Sequence, residues 1–130
     1  MAFNILVVDD SAVMRKMIIR TLQLTGLPLG EVHEASNGAE GLAQLDQHWI
    51  DLALVDLNMP VMNGEEMIGK VRANPELSDV PIVVVSTDGS ETRLERIRPS
   101  VAGFVHKPFT PEQLGEVITS IVGPVEPSAE

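Results

Sequence analysis

The chain has 130 residues, of which 44% are hydrophobic and 22% are charged, and these values indicate one globular domain with an ordinary hydrophobic core. Nineteen acidic against nine basic side chains give a formal net charge of −10, which argues against direct binding to nucleic acid. Because the chain has no cysteine, no apolar run near the ~20 residues of a membrane span and no signal-peptide pattern, we expect a cytoplasmic protein without disulfides, cysteine-bound zinc or membrane insertion.

Five short apolar runs alternate with segments of helical periodicity. Several of these runs are continuous in valine, isoleucine and leucine, which is typical of parallel strands that helices cover on both faces. The alternation predicts an α/β fold with a doubly wound, five-stranded parallel sheet. The predicted strands are residues 5–8, 32–35, 52–55, 82–85 and 102–105.

The helical segments differ in the apolar surface that they offer to the sheet. The first segment, residues 12–25, and the last one of the chain both have full apolar stripes. The fourth segment, residues 90–98, contributes only Leu94 and Ile97 to an inner face and runs into Pro99. We therefore predict five flanking helices, of which the fourth is short and weakly anchored. The inner face predicted for the first helix is Met14, Met17, Ile18 and Leu22.

The C-terminal sequence GPVEPSAE, residues 123–130, contains two prolines and shows no periodicity. We expect a domain of residues 1–122 followed by a flexible tail. Because the chain ends soon after the last predicted helix, we expect no appended DNA-binding domain, although a fragment of a longer regulator would look the same.

A few other side chains have ordinary structural interpretations. The three histidines are scattered through the sequence, and His106 is interpreted as a strand-end side chain rather than a ligand. Trp49 is expected to be partly buried near the start of the third strand. The six methionines are expected to fill the core and interfaces.

Polar side chains follow four of the five predicted strands. Asp9 and Asp10 come after the first strand and Asp56 after the third, while Ser86 and Lys107 lie at the ends of the fourth and fifth. Open parallel sheets bind ligands beyond the carboxyl ends of their strands, where the strand order reverses. Five βα units suggest the order 2-1-3-4-5, so strands 1 and 3 should be neighbours. The three acids are therefore expected to meet in one crevice.

Taken singly, these residues have structural alternatives. Asp10 could be the N-cap of the first helix, Ser86 an ordinary strand-end hydroxyl and Lys107 a surface lysine. Asp56 is harder to explain in this way, because the next helix begins only near Gly64 and Asp56 has no helix to cap. The joint placement of these residues favours a functional site.

The chemistry of such a site follows from its charges. Two carboxylates ~4 Å apart repel each other by about 4 kcal/mol at an effective dielectric constant near 20, so a cation is expected among them. Oxygen ligands favour a hard divalent ion such as Mg²⁺ or Mn²⁺, and Lys107 adds further positive charge. Once its charge is partly neutralised, an aspartate can attack an electrophilic phosphorus. The residues therefore predict phosphoryl transfer.

The fragments VVDD, DLNMP followed by NG, VVVST and FVHKPF occur in this order along the chain. Together they resemble the receiver domain of two-component response regulators, particularly the stand-alone chemotaxis receivers, over roughly residues 3–122. The resemblance implies a flavodoxin-like fold. It also implies a protein that catalyses its own phosphorylation and dephosphorylation but acts as a signalling switch rather than as a turnover enzyme.

The resemblance assigns roles to the residues of the crevice. Asp56 would accept the phosphoryl group. Asp9, Asp10 and Asp56 would hold Mg²⁺ together with the backbone carbonyl of Asn58, and Lys107 would pair with the phosphoryl oxygens.

The same resemblance implies a switch and a means of tuning it. The Ser86 hydroxyl would move to bond the phosphoryl group, and Phe104 would turn inward as it does so. Asn58 and Asp88 match positions that, in this family, tune the rate at which the phosphoryl group is hydrolysed.

The resemblance also implies partners. The phosphoryl donor would be a histidine kinase or phosphotransfer protein, a phosphatase is a further partner, and the surface of the fourth helix, fifth strand and fifth helix would control a downstream protein. Two other functions stay open at this point. One is a docking receiver that is not phosphorylated, and the other is a metal-dependent phosphohydrolase with an aspartate nucleophile.

Overall fold

The computed structural model describes residues 2–87 and 91–122, and over these residues five parallel strands form one sheet. The strand order is β2-β1-β3-β4-β5, which confirms the predicted order and the doubly wound α/β fold. Residues 123–130, for which a flexible tail was predicted, lie outside the described residues. The strands are β1 Phe3–Val8, β2 Leu29–Ala35, β3 Leu52–Val55, β4 Ile82–Ser86 and β5 Gly103–His106.

Five α-helices connect and flank the strands in the described part of the chain. A serine or asparagine N-cap precedes each of the first three helices, and its side chain accepts a hydrogen bond from a backbone N–H of the first turn. No helix among the described residues is long and apolar enough to cross a membrane. The helices are α1 Ala12–Leu24, α2 Gly38–Gln47, α3 Gly64–Ala73, α4 Glu91–Ile97 and α5 Pro111–Val122.

The central strands are buried on both faces, which explains their continuous aliphatic runs. Along β1, Ile5 and Val7 pack in a cluster with α1 and α5, whereas Leu6 and Val8 pack in a cluster with α2, α3 and α4. All four side chains are at most 1% exposed. Since successive strand residues point to opposite faces, the chain needs apolar side chains at every position here.

The fourth helix is short, as predicted. It has seven residues, Leu94 is partly buried against the core and Ile97 is 6% exposed. Pro99 lies in a 3₁₀ turn, Arg98–Ser100, that follows α4 directly. Proline removes a backbone donor and clashes with the preceding turn, so the α-helix ends before it.

Three expectations were wrong. Met17 is 57% exposed because the inner face of α1 consists of Met14, Ile18, Ile19 and Leu22, and Met17 lies outside that stripe. Trp49 is 80% exposed, and its indole Nε1 donates to Asp51 Oδ1 at 3.0 Å. The second strand begins at Leu29 rather than at residue 32, because an edge strand with one exposed face needs no continuous apolar run.

Candidate functional site

The site lies at the carboxyl edge of the sheet, where β1 and β3 are neighbours. The backbone hydrogen bonds of the sheet continue into the first residue beyond β1, β3 and β5. Asp9 N donates to Ala35 O at 3.0 Å, Asp56 N donates to Val8 O at 2.9 Å and Lys107 N donates to Ser86 O at 2.9 Å. The backbone of each of these site residues is therefore fixed by the neighbouring strand.

The structure brings the three predicted acids together. Asp9 is 2% exposed and Asp56 is 9% exposed, whereas Asp10 is exposed at the rim. One carboxylate oxygen from each of the three lies within 4.8 Å of the others. They form a partly buried cluster of negative charge, here called the acidic cluster.

Lys107 is the cation that faces the acidic cluster. Its Nζ lies 2.8 Å from Asp9 Oδ2 and 3.9 Å from Asp56 Oδ2, and its side chain is 10% exposed. The peptide bond between Lys107 and Pro108 is cis. Since one ammonium group faces three carboxylates, the cluster keeps a surplus of negative charge.

Asp56 has the perturbed titration expected of a functional group. Burial raises the pKa of its carboxyl group, the charge of Asp9 raises it further, and Lys107 opposes both effects. Its Oδ1 lies 3.5 Å from the backbone nitrogen of Asn58, and hydrogen bonding by the Asn58 and Leu57 backbone also opposes the rise in the pKa of Asp56. Partly buried oxygen donors with surplus negative charge fit a hard divalent cation such as Mg²⁺ or Mn²⁺.

The structural alternative for Asp10 is wrong, because the N-cap of α1 is Ser11. The Ser11 hydroxyl accepts from Met14 N at 3.1 Å. The Ser11 backbone N–H in turn donates to Asp9 Oδ1 at 2.9 Å. The start of α1 thus orients Asp9, and Asp10 is left to the acidic cluster.

Arg15 is a residue of the site that the sequence analysis missed. Its Nη1 donates to the Asp9 carbonyl oxygen at 2.6 Å, and its Nε donates to Glu34 Oε1 at 2.9 Å. It therefore holds the Asp9 backbone from the N-terminal part of α1. The sequence could have pointed to Arg15, because the N-terminal turns of helices favour acidic side chains and an arginine there is unusual.

Ser86 and Phe104 lie on the same face of the sheet. Val84 pairs with Phe104 across β4 and β5, and Ser86 lies two residues beyond Val84. Side chains two residues apart on a strand share a face, so Ser86 sits one pleat nearer the acidic cluster than Phe104. Ser86 is 3% exposed, and Phe104 is partly buried with the Arg98 guanidinium 5.3 Å from its ring centroid.

Arg93 links α4 to the loop that carries Asp56. Its Nη1 donates to Asn58 Oδ1 at 2.8 Å, its Nη2 donates to the Leu57 carbonyl at 3.3 Å, and its Nε donates to Glu65 Oε1 at 2.7 Å. Arg96 also reaches Glu65, at 3.1 Å. Although burial acts to raise the pKa of Glu65, the two arginines lower it overall.

Sequence reasoning gave no sign of this link, because residues 58 and 93 are distant in the chain and follow no local pattern. Asp88, the second predicted hydrolysis-tuning residue, lies outside the described residues.

Comparison with known proteins agrees with this geometry. A family model described as the response regulator receiver domain matches residues 5–119. The chain is 38% identical over 122 residues to a chemotaxis protein CheY homolog of Campylobacter jejuni, covering 92% of each chain. It is 36% identical to chemotaxis protein CheY1 of Helicobacter pylori, covering 92% of this chain and 97% of that protein.

Solved structures show the same likeness. Chemotaxis protein CheY4 of Vibrio cholerae has a TM-score of 0.82 and 33% identity, covering 93% of this chain and 99% of the other. A CheY-like receiver domain protein of Methanospirillum hungatei has a TM-score of 0.79 and 26% identity.

Proposed function

This chain belongs to the response regulator receiver family of two-component signalling, and we propose that Asp56 takes a phosphoryl group from a histidine kinase or phosphotransfer protein. The observation that carries the proposal is the position of the Asp56 carboxylate. It lies at the end of a buried strand, among two further carboxylates and within 3.9 Å of the Lys107 ammonium group.

Asp9, Asp10 and Asp56, with the backbone carbonyl of Asn58, would hold Mg²⁺ or Mn²⁺. When bound, the ion supplies positive charge that offsets the repulsion among the carboxylates and the charge on the phosphoryl oxygens. Support comes from the raised pKa of Asp56, which burial and the charge of Asp9 cause and which the single lysine does not offset.

The chain's own residues account for the transfer step. A carboxylate oxygen of Asp56 forms the new bond to phosphorus, and the bond from phosphorus to the donor imidazole breaks with its electron pair going to the imidazole nitrogen. Lys107 pairs with the phosphoryl oxygens and the Ser86 hydroxyl donates to one of them. Ser86 ends β4, which is the neighbour of the strand that Asp56 follows, and Lys107 follows β5 with its Nζ 3.9 Å from Asp56 Oδ2.

The proposed switch runs from Ser86 to Phe104. The phosphoryl group brings about −1.5 to −2 units of charge to the site, and it draws the Ser86 hydroxyl toward it. Phe104 lies on the same face of the sheet, one pleat away, and turns into the space that Ser86 leaves. The altered surface of α4, β5 and α5 then controls a protein partner.

Two features support a role for α4 in this switch. Its apolar anchors are Leu94 and Ile97, and its Arg93 side chain reaches the loop after Asp56. Asn58, to which the resemblance gives a role in tuning hydrolysis of the phosphoryl group, would also communicate with α4 through Arg93. The tuning role of Asp88 rests on the sequence resemblance.

The output partner is proposed to be a protein rather than nucleic acid, since the net charge of −10 would repel phosphate backbones. The similar proteins of Campylobacter jejuni and Helicobacter pylori are named chemotaxis proteins, so a motility pathway is the first place to seek the partner.

The test is incubation with Mg²⁺ and a small acyl phosphate, followed by intact mass spectrometry. We expect one added phosphoryl group on the wild type, and none on Asp56→Asn. Asp46→Asn is a matched control, because Asp46 is an exposed acid on α2, and it should be phosphorylated like the wild type.

Other outcomes would favour the other functions. Steady turnover of a phosphoester without a trapped adduct would favour a phosphohydrolase. A folded protein that never gains the phosphoryl group would favour a docking receiver.

A further inference from the structure

A second group of potential ligands lies on the edge strand, away from the acidic cluster. Glu31 and His33 are two residues apart on β2, so their side chains share a face, and His48 follows the last residue of α2. One donor atom from each of the three lies within 4.8 Å of the others. Among the described residues, this group and the acidic cluster are the two sets of three or more potential ligands that approach so closely.

The three side chains already contact one another. His33 Nε2 lies 2.9 Å from Glu31 Oε1. The His33 and His48 rings are stacked, with centroids 3.9 Å apart and an angle of 18° between their planes. Two of the chain's three histidines are therefore brought together by folding, although they are 15 positions apart in the sequence.

We propose that Glu31, His33 and His48 form a binding site for a zinc-type divalent ion. Two imidazoles and one carboxylate, with water at the fourth position, make a donor set that Zn²⁺ accepts and that suits Ni²⁺ and Cu²⁺ as well. Mg²⁺ prefers oxygen ligands only, so this site and the acidic cluster should select different ions.

The distances leave a small rearrangement to be made. Bonds of about 2.0–2.2 Å in a tetrahedral arrangement place donor atoms roughly 3.3–3.5 Å apart. The donors here are at most 4.8 Å apart, so His48 must approach the other two donors by about 1.5 Å or less, whereas the 2.9 Å contact between His33 and Glu31 must widen slightly. The ion takes the place of the proton that those two residues share.

One imidazole must also turn. The lone pairs of the stacked rings lie in nearly parallel planes, whereas two ligands of one ion must direct their lone pairs toward a common point. His48 lies in the connection between α2 and β3, and the rotation of its ring needs no movement of the sheet. Both imidazoles bind through an unprotonated nitrogen, so the remaining ring proton sits on the other nitrogen.

The site is separate from the phosphorylation site. His48 precedes β3 and Asp56 follows it, and the four residues of that strand alone span roughly 13 Å at about 3.3 Å per residue. A bound ion would join the edge strand to the end of α2, and it would stabilise the fold by mass action. The proposal therefore does not depend on the proposed phosphorylation.

Trp49, next to His48 and the one tryptophan of the chain, supplies a local reporter. Protein without a histidine tag is kept in excess Mg²⁺ to fill the acidic cluster and titrated with Ni²⁺ while tryptophan fluorescence is followed. We expect saturable quenching that Zn²⁺ reverses by competition. Calorimetry with Zn²⁺ under the same conditions should give one ion per chain.

The decisive comparison uses three histidine variants. His33→Gln and His48→Gln should each weaken Zn²⁺ binding at least about tenfold, while His106→Gln, the third histidine, should leave it unchanged. Asp56→Asn should bind Zn²⁺ like the wild type, which separates this result from the proposed function.

Glu31→Gln removes the carboxylate charge from an exposed position, and it provides a ligand variant if a histidine variant fails to fold. Thermal unfolding of each variant in the presence of a chelator checks that the variant is folded without bound metal. The proposal would be overturned if the folded ligand variants bound Zn²⁺ as tightly as the wild type does. It would also be overturned if His106→Gln weakened Zn²⁺ binding as much as the ligand variants do.

Discussion

Asp56 carries its negative charge in surroundings that oppose ionisation. Its carboxylate is mostly buried, a second carboxylate lies nearby, and the one ammonium group within reach makes its shorter contact with Asp9. An ionised carboxylate in such surroundings adds little to the stability of the fold, and it is well suited to bind a cation or to accept a covalent modification.

This leads to a prediction about Asp56→Asn at the scale of one residue. In chelator at pH 7 the substitution should raise the free energy of unfolding by about 1 kcal/mol, the usual size of a single-site effect. The pKa of Asp56 is raised in the folded state, so the folded protein binds the proton more tightly and loses stability as the pH rises from the unfolded to the folded pKa. Denaturant unfolding at several pH values measures the difference.

The pH profile provides the check on this prediction. The advantage of Asp56→Asn should disappear below the ordinary pKa of aspartate, near ~3.9, where the carboxyl group is neutral in both states. It should shrink when Mg²⁺ is added, since the ion stabilises the wild type. A less stable variant at pH 7, beside an unaffected Asp46→Asn control, would show that the Asp56 charge is well compensated.

At the scale of the element, the start of α3 packs directly on the loop that carries Asp56. A Cβ atom added at Gly64 would collide with the Asp56 carbonyl oxygen and would lie 2.9 Å from Leu57 Cα. The Gly64 N–H also donates to Leu57 O at 3.0 Å. The glycine of the NG fragment is thus required by a close approach of two backbone segments.

Gly64→Ala should therefore destabilise the protein by about 2–3 kcal/mol and lower the yield of phosphorylated protein. Gly69→Ala on the same helix is the matched control, because a Cβ there meets nothing within 4 Å. That control should be neutral or stabilising by up to about 1 kcal/mol, since alanine favours a helix more than glycine does. Equal effects of the two substitutions on the free energy of unfolding would contradict the packing argument.

Arg93 adds polar contacts to the apolar packing that holds α4 in place. Arg93→Gln removes charge-assisted hydrogen bonds to Glu65 and Asn58, and we expect a loss of about 1–2 kcal/mol in the free energy of unfolding. The pKa of Glu65 should rise toward its ordinary value, which NMR titration can follow. Because a lowered carboxyl pKa stabilises the fold above the unfolded pKa, the loss should be present at neutral pH and decrease in acid.

Arg20→Gln is the control for Arg93→Gln, because Arg20 is exposed on α1. If both substitutions have the same small effect and the pKa of Glu65 does not move, the link between α4 and the Asp56 loop is not significant in solution.

The predictable parts of the fold were those with a local signal. The strand order followed from five apolar runs and their parallel pairing, and the acidic cluster followed from the strand ends. The contacts of Arg93 with Asn58 and of His33 with His48 join residues distant in sequence, and no spacing rule reveals them. An N-cap role for Asp10 stayed open from the sequence because aspartate and serine are both preferred caps, and the turn geometry gives the cap to Ser11.

At the scale of the whole molecule, two apolar clusters lie on opposite faces of one sheet. α1 and α5 cover one face, and α2, α3 and α4 cover the other. The acidic cluster lies at the carboxyl edge of the sheet, which both layers share, and α4, with seven residues, is the shortest α-helix in the described part of the chain. Regulatory movement is therefore expected to be concentrated in the region of α4 and β5.

Hydrogen exchange can test this distribution. On phosphorylation with an acyl phosphate and Mg²⁺, amide exchange should change in α4 and β5 and stay the same in α1. The Asp56→Asn protein under the same conditions shows the effects of reagent and ion alone. A change spread evenly over the molecule, or one confined to α1, would contradict a switch at α4 and β5.

The central claim is that Asp56 is the phosphoryl acceptor, and chemical trapping tests it most directly. Borohydride reduces an aspartyl phosphate to homoserine, which tandem mass spectrometry locates within a peptide. After treatment with acyl phosphate and Mg²⁺, we predict homoserine at position 56 and at no other aspartate. Homoserine at position 9 or 10, or a stable phosphoryl group on another type of residue, would contradict the claim.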